Sequence, residues 1–246
     1  MVSLASLRVE VEERLKGRVS APFNFRPAAQ TSVLNTGIPA IDSCCGGIPL
    51  GAITELVTGR WCSAGTKSLF CQVLARVTAE QFGALVDATD SFDPRSAKDA
   101  GVRLDRLLWV RCSGKGIKAV EQAFTSADLL LQGSGGFGLL VVDLANVSPE
   151  HIRKVPSSTW FRFRSVVEKL HLPLLISTSH KVVGSCSALT LSLLNADVRW
   201  SEAAAVSPTH GRLPVEIDFK IEAEPRRSLK KPAIGVQSFR AERRWA

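Results

Sequence analysis

The stretch Thr58-Gly59-Arg60-Trp61-Cys62-Ser63-Ala64-Gly65-Thr66-Lys67-Ser68-Leu69 carries the residue types best suited to chemistry. A loop of small residues with glycines and a Lys-Ser pair, set between an apolar run and a helical pattern, is the layout of a phosphate-binding loop. Backbone N–H groups and the helix N-terminus cradle the phosphates, the lysine neutralises charge, and the hydroxyl holds Mg²⁺. The fit to G-x-x-x-x-G-K-[ST] is imperfect. Thr66 stands between Gly65 and Lys67, and Gly59 to Gly65 spans one residue too many. One residue along a helix turns a side chain by about 100°, so Lys67 is expected to miss the β- and γ-phosphates. Arg60 and Trp61 add bulk where the loop should be small.

Asp143 ends the apolar run Gly138-Leu139-Leu140-Val141-Val142-Asp143. An acid there supports Mg²⁺ through water in a nucleotide site; a strand-end Asp equally caps the turn that follows it. Gly59, Gly65, Thr66, Lys67, Ser68 and Asp143 together form a degenerate candidate nucleotide site. The six cysteines form no C-x-x-C pair and no Cys/His set with zinc-like spacing, so no metal is expected. They read as small buried thiols in a reducing cytosol.

These residues need a frame. Short apolar runs occur at Ala52–Val57, Ala84–Asp87, Leu107–Arg111, Gly138–Asp143 and Pro173–Ser177, separated by helical patterns at Ser68–Glu80, Pro94–Gly101, Ile117–Leu131 and Ser157–Leu170. That alternation predicts an α/β fold with a mostly parallel sheet covered by helices on both faces. A helix over Ala188–Asn195 is expected next, then strands at Ala196–Trp200 and Pro214–Glu222 that extend the sheet in antiparallel fashion. Leu4, Leu7, Val11 and Leu15 make residues 2–17 an amphipathic helix, and Val19–Thr31 a linker. The expected organisation is therefore helix and linker over 1–31, core over 32–224 and tail over 225–246.

Composition narrows the class. The chain has 246 residues, of which 45% are hydrophobic and 22% charged, which excludes a disordered chain. No apolar run reaches the roughly 18 residues of a membrane span, and the N-terminus lacks a signal sequence's apolar stretch. A soluble cytoplasmic protein is expected. From Pro225 onward Arg226, Arg227, Lys230, Lys231, Arg240, Arg243 and Arg244 face one acid, Glu242, so the tail carries +6 of the net +8. Such a tail suits nucleic acid or an acidic protein surface. Trp160-Phe161-Arg162-Phe163-Arg164 interleaves aromatics with Arg162 and Arg164 as strand-binding surfaces do. The same spacing also puts Trp160 and Phe163 on the core face of a helix.

Taken together, several segments resemble the RecA family of recombinases over roughly residues 32–224. They are Asn35-Thr36-Gly37-Ile38-Pro39-Ala40-Ile41-Asp42 with Gly46-Gly47-Ile48-Pro49-Leu50-Gly51-Ala52-Ile53-Thr54-Glu55-Leu56, then Val86-Asp87-Ala88-Thr89-Asp90-Ser91-Phe92-Asp93-Pro94. Gly101-Val102-Arg103-Leu104-Asp105-Arg106-Leu107-Leu108 and Leu174-Leu175-Ile176-Ser177-Thr178-Ser179, with Ala196-Asp197-Val198-Arg199, continue the likeness. The resemblance implies a RecA-like core that binds ATP and Mg²⁺, with two DNA-binding loops. It also marks departures. Thr89 stands where the family has its catalytic glutamate, and the glutamine expected near Ser177–Thr178 is missing. The segments Ser148–Thr159 and Lys181–Ala188 are short for the two DNA loops, and the basic tail replaces the large C-terminal domain.

Within the superfamily the chain resembles the ImuA type, accessory to bacterial translesion synthesis. That resemblance implies a protein with no catalytic residue and no resident cofactor, ATP and Mg²⁺ entering only if the loop functions. Its implied partners are an ImuB-like Y-family polymerase homologue, RecA and single-stranded DNA, in a nucleoid-associated setting. Phe25-Arg26-Pro27-Ala28 has the Phe-x-x-Ala spacing by which recombinases hook onto a neighbour. Phe23, Phe25 and Ala28 are accordingly candidate partner residues, also for self-association. Two alternatives stay open: a DNA-dependent ATPase with a remodelled loop in which Asp90 replaces the glutamate, and a RecA-like cell-division inhibitor.

Overall fold

A computed structural model of the chain describes residues 32–58, 63–133, 136–200, 214–225 and 233–240; of residues 63–65, 195–200, 214–219 and 233–240 it describes only the backbone. All of these fall in one compact unit, Ser32–Ala246. Its eight-stranded sheet has the order β10-β9-β8-β3-β7-β6-β4-β5. Strands β3 (Ile53–Val57), β4 (Phe82–Asp87), β5 (Leu107–Arg111), β6 (Phe137–Asp143), β7 (Leu174–Thr178) and β8 (Ser187–Trp200) run parallel, and β9 (Pro214–Pro225) and β10 (Ala233–Arg240) add on antiparallel.

The inner strands are apolar throughout because both of their faces are covered. On one face Leu56, Leu85, Leu139, Val141 and Leu175 pack against α1 (Pro39–Cys45), α2 (Ser63–Thr78) and α3 (Pro94–Asp99). On the other, Ile53, Ala84, Val86, Leu140, Val142 and Ile176 meet α4 (Ile117–Gln132), α5 (Pro149–Ile152) and α6 (Ser157–Leu170). The period-2 alternation along each strand sends neighbours to opposite layers. This is the α/β architecture that the alternating runs predict.

Three departures from the sequence reading follow from side-chain period and local geometry. The expected helix Ala188–Asn195 is instead part of β8. Leu189, Leu191 and Leu193 recur every second residue and all face the α2 layer, a strand's period and not a helix's. Helix α2 begins at Ser63, five residues before the expected start at Ser68, so Gly65 to Ser68 lie inside it. Finally, the stretch read as a tail from residue 225 contains β10, whose Arg240 is in register with Glu216 of β9.

In the Asn35–Asp42 segment, Asp42 in the first turn of α1 holds the chain that leads into the helix. Asp42 accepts hydrogen bonds from Thr36 N–H (3.0 Å), the Thr36 hydroxyl (2.8 Å) and Gly37 N–H (3.0 Å). The pair β1 (Val33–Leu34) and β2 (Ile48–Pro49) is antiparallel. It needs Gly47 at φ +122°, because a Cβ there would lie 2.3 Å from the Leu34 carbonyl oxygen.

Candidate functional site

Parallel strands deliver their carboxyl ends to one edge, and register sets which residues meet there. Asp87 of β4 is level with Asp143 of β6, Asp143 with Ser177 of β7, and Ser177 with Leu56 of β3. Ligands of open α/β sheets bind at this edge. The helix leaving β3's end, α2, brings Lys67 to the same place.

There the Lys67 ammonium forms an ion pair with Asp143 Oδ2 and donates to Ser91 Oγ at 2.7 Å. Ser91 Oγ also accepts from the Thr89 hydroxyl at 3.0 Å. Asp143 Oδ1 accepts from the Ser177 hydroxyl and from Ala145 N–H at 3.2 Å. A chain of polar contacts thus runs Thr89–Ser91–Lys67–Asp143–Ser177, tying β4, α2, β6 and β7. The Asp143 side chain is 2% exposed and that of Lys67 29%. A charge this buried requires a partner; both carboxylate oxygens have one. The Lys67 ammonium lies 5.2 Å from the Phe70 ring centroid.

The neighbouring carboxylates are occupied as well. Asp87 accepts from Thr89 N–H at 3.2 Å and Phe92 N–H at 2.8 Å, shaping the turn after β4. Asp90 sits in that turn at φ 52° and accepts from Arg111 Nε and Nη2, each at 2.6 Å. The bonds from Arg111 hold the Asp90 carboxyl below its ordinary pKa. Asp90 therefore faces Arg111 of β5, and Thr89 beside it brings a hydroxyl to the edge. Burial pushes the Cys71 thiol on α2 up to about 11, with the Lys67 charge opposing.

Of the sequence-derived site residues, the structure joins Lys67 and Asp143. Thr66 points into the interior, 0% exposed, with a hydroxyl that has no hydrogen-bond partner. Ser68 is exposed, Gly65 is described by backbone alone, and Gly59 lies outside the described residues. Trp160 and Phe163 are buried, taking the core alternative, while Arg162 pairs with Asp128 of α4 at 3.3 Å and Arg164 is half-buried. Phe23, Phe25, Ala28, Arg226, Arg227, Lys230, Lys231, Arg243 and Arg244 lie outside the described residues, and Arg240 is described by its backbone in β10.

Sequence reasoning missed Ser91, the Ser177 hydroxyl and Glu55. Glu55, mid-β3 and 0% exposed, accepts at Oε1 from Val182 N–H (2.6 Å) and Val183 N–H (3.0 Å), clasping the β7–β8 connection. A carboxylate inside a run as apolar as Ile53-Thr54-Glu55-Leu56-Val57 was the available signal. The segments expected to be shortened DNA loops come together beside it: Ile152, Arg153 and Ser157 line one cavity with Lys181, Val182 and Ser185.

The family model for the RecA N-terminal domain matches residues 15–152, more than half of the chain and spanning both β4 and β6 with their terminal carboxylates. The chain belongs to the RecA family. It is 34% identical over 155 residues to Protein RecA of Methylococcus capsulatus, covering 60% of this chain and 42% of that protein. To Protein RecA of Gluconobacter oxydans it is 37% identical over 123 residues, 48% of this chain and 33% of the relative. The match to these relatives thus spans less than half of their length. Among the described residues, no helix of this RecA-family chain is long and apolar enough to cross a membrane.

Proposed function

We propose that this RecA-family chain is a non-hydrolysing accessory protein of DNA-damage-induced mutagenesis, of the ImuA type. It keeps the recombinase core as a docking platform without ATP turnover. The observation that carries this reading is the engagement of Asp143. Its carboxylate is engaged by Lys67, Ser177 and Ala145, and Thr89 offers no acid to polarise an attacking water. The ATPase alternative needs Asp90 as a replacement acid, and Arg111 holds that group at both oxygens.

The partners in this reading are an ImuB-like polymerase homologue, RecA and single-stranded DNA. The basic residues from Arg226 to Arg244 supply the salt-sensitive part of any DNA affinity. Phe25 with Ala28 supplies a hook for a partner protein or a second copy, and Phe23 lies beside it. The setting is the bacterial cytoplasm, at the nucleoid.

Thermal unfolding with and without MgATP tests the loss of turnover. A ligand at 100 times its Kd adds about 2.7 kcal/mol; no shift is expected at millimolar MgATP. A shift that Lys67→Ala abolishes, accompanied by phosphate release, would establish the DNA-dependent ATPase instead. For the partners, immobilised chain should retain the polymerase homologue, and Phe25→Ala should weaken capture of its partner about tenfold.

A further inference from the structure

We infer that the Lys67 ammonium is a tethered replacement for the divalent cation of the ancestral site. Counted from Gly65, the phosphate-loop pattern puts the phosphate-binding lysine first and the metal-binding hydroxyl second. Here the first position is Thr66 and the second Lys67. Thr66 is fully buried with its hydroxyl unpartnered, so it has joined the interior. Lys67, in the hydroxyl's place, reaches the acid whose part in such sites is to support the metal. One positive charge therefore sits on Asp143, where such sites hold a doubly charged ion.

The donor set does not fit Mg²⁺. That ion demands near-octahedral oxygen ligands, whereas an ammonium has only hydrogens to give. The Lys67 ammonium contacts Asp143 and Ser91 and lies 5.2 Å from the Phe70 ring centroid. Both Asp143 oxygens already accept from protein donors. The cluster is charge-balanced from within, so the ends of β4, β6 and β7 and the start of α2 keep one arrangement whether or not nucleotide or metal is present. That property suits, and rests on, the non-hydrolysing docking platform proposed above. The metal experiment below reads neither ATP turnover nor partner capture, so the two fail separately.

The test compares thermal unfolding of the full-length chain in EDTA and in about 10 mM Mg²⁺, with Mn²⁺ paramagnetic resonance to count bound ions. Wild type should unfold at the same temperature in both and bind no Mn²⁺. Lys67→Thr, which restores a hydroxyl and uncovers Asp143, should lose roughly 10 °C in EDTA. It should regain at least half of that in Mg²⁺ and bind one Mn²⁺ per chain. Adding Asp143→Asn to Lys67→Thr should abolish the Mg²⁺ response. Mn²⁺ bound to wild type, or a Mg²⁺-dependent rise in its Tm, overturns the inference. So does a Lys67→Thr chain that stays unfolded or unshifted in Mg²⁺.

Discussion

Replacing Glu55 by alanine should loosen the β7–β8 connection from the sheet. Glu55 is fully buried and its Oε1 receives two backbone N–H groups, Val182 at 2.6 Å and Val183 at 3.0 Å. Hydrogen bonds to a charged group contribute about 1.5–3 kcal/mol each, and a buried N–H left unmade costs about 1–3 kcal/mol. Val183 is 3% exposed, so water does not readily replace the lost acceptor. The two bonds together put the cost of Glu55→Ala at about 3–6 kcal/mol. For a unit of this size that is a fall in Tm of roughly 10 °C, at about 2–4 °C per kcal/mol. Glu55→Gln keeps an acceptor oxygen and should recover about half of the loss. The assay pairs circular-dichroism melts with hydrogen exchange at the Val182 and Val183 amides, both of which should exchange faster in the alanine variant. A loss under about 1 kcal/mol, or unchanged protection at those two amides, would refute the clasp.

Other expectations are sharper for being local. Cys71 has its thiol pushed up to about 11 by burial, while an unfolded thiol ionises near 8.5–9. Between those values the unfolded chain releases a proton that the folded chain keeps, so stability falls as pH rises, by about 3 kcal/mol across the window. Cys71→Ala should remove that slope in urea unfolding at pH 8 to 11, and an identical slope in both proteins counts against the assignment. Phe163→Ala should cost about 3–5 kcal/mol, since the ring is 0% exposed and stacks on Phe124 at 5.6 Å. Phe161→Ala, 52% exposed on the same helix, should stay within about 0.5 kcal/mol; the reverse order in chemical denaturation would show α6 rotated. Thr89→Glu should leave phosphate release at background, because Asp143 remains bound to Lys67; measurable ATPase would show that the acid alone was missing.

How far the residues foretold this molecule depends on which physical signal each element carries. Burial on both faces writes itself as continuous apolar runs, so β3 to β7 and the helices between them, except the short α5, were legible. Where one period competes with another, length misleads. Ala188–Asn195 has enough leucine for a helix, yet Leu189, Leu191 and Leu193 obey the strand's alternation and face a single layer. The clasp by Glu55 was illegible in detail because its partners lie 127 and 128 residues away along the chain.

The lysine shows the deeper difficulty. Spacing is the ground for reading Lys67 as displaced from the phosphate-binding position, but spacing is a one-dimensional quantity and says only what the side chain leaves. What it reaches depends on the rotation of α2 and on the register of β6 against β4 and β7, which places Asp143 level with Asp87 and Ser177. An insertion that merely disabled the loop would leave Asp143, 2% exposed, as an uncompensated buried charge, a cost of several kcal/mol. In the proposed reading, an ammonium one position further along the helix no longer serves as a phosphate ligand and supplies that counter-charge in the same step. On the inference drawn above, the lysine is a compensated loss: the carboxyl edge of the sheet gives up a phosphate ligand and keeps a counter-charge for Asp143.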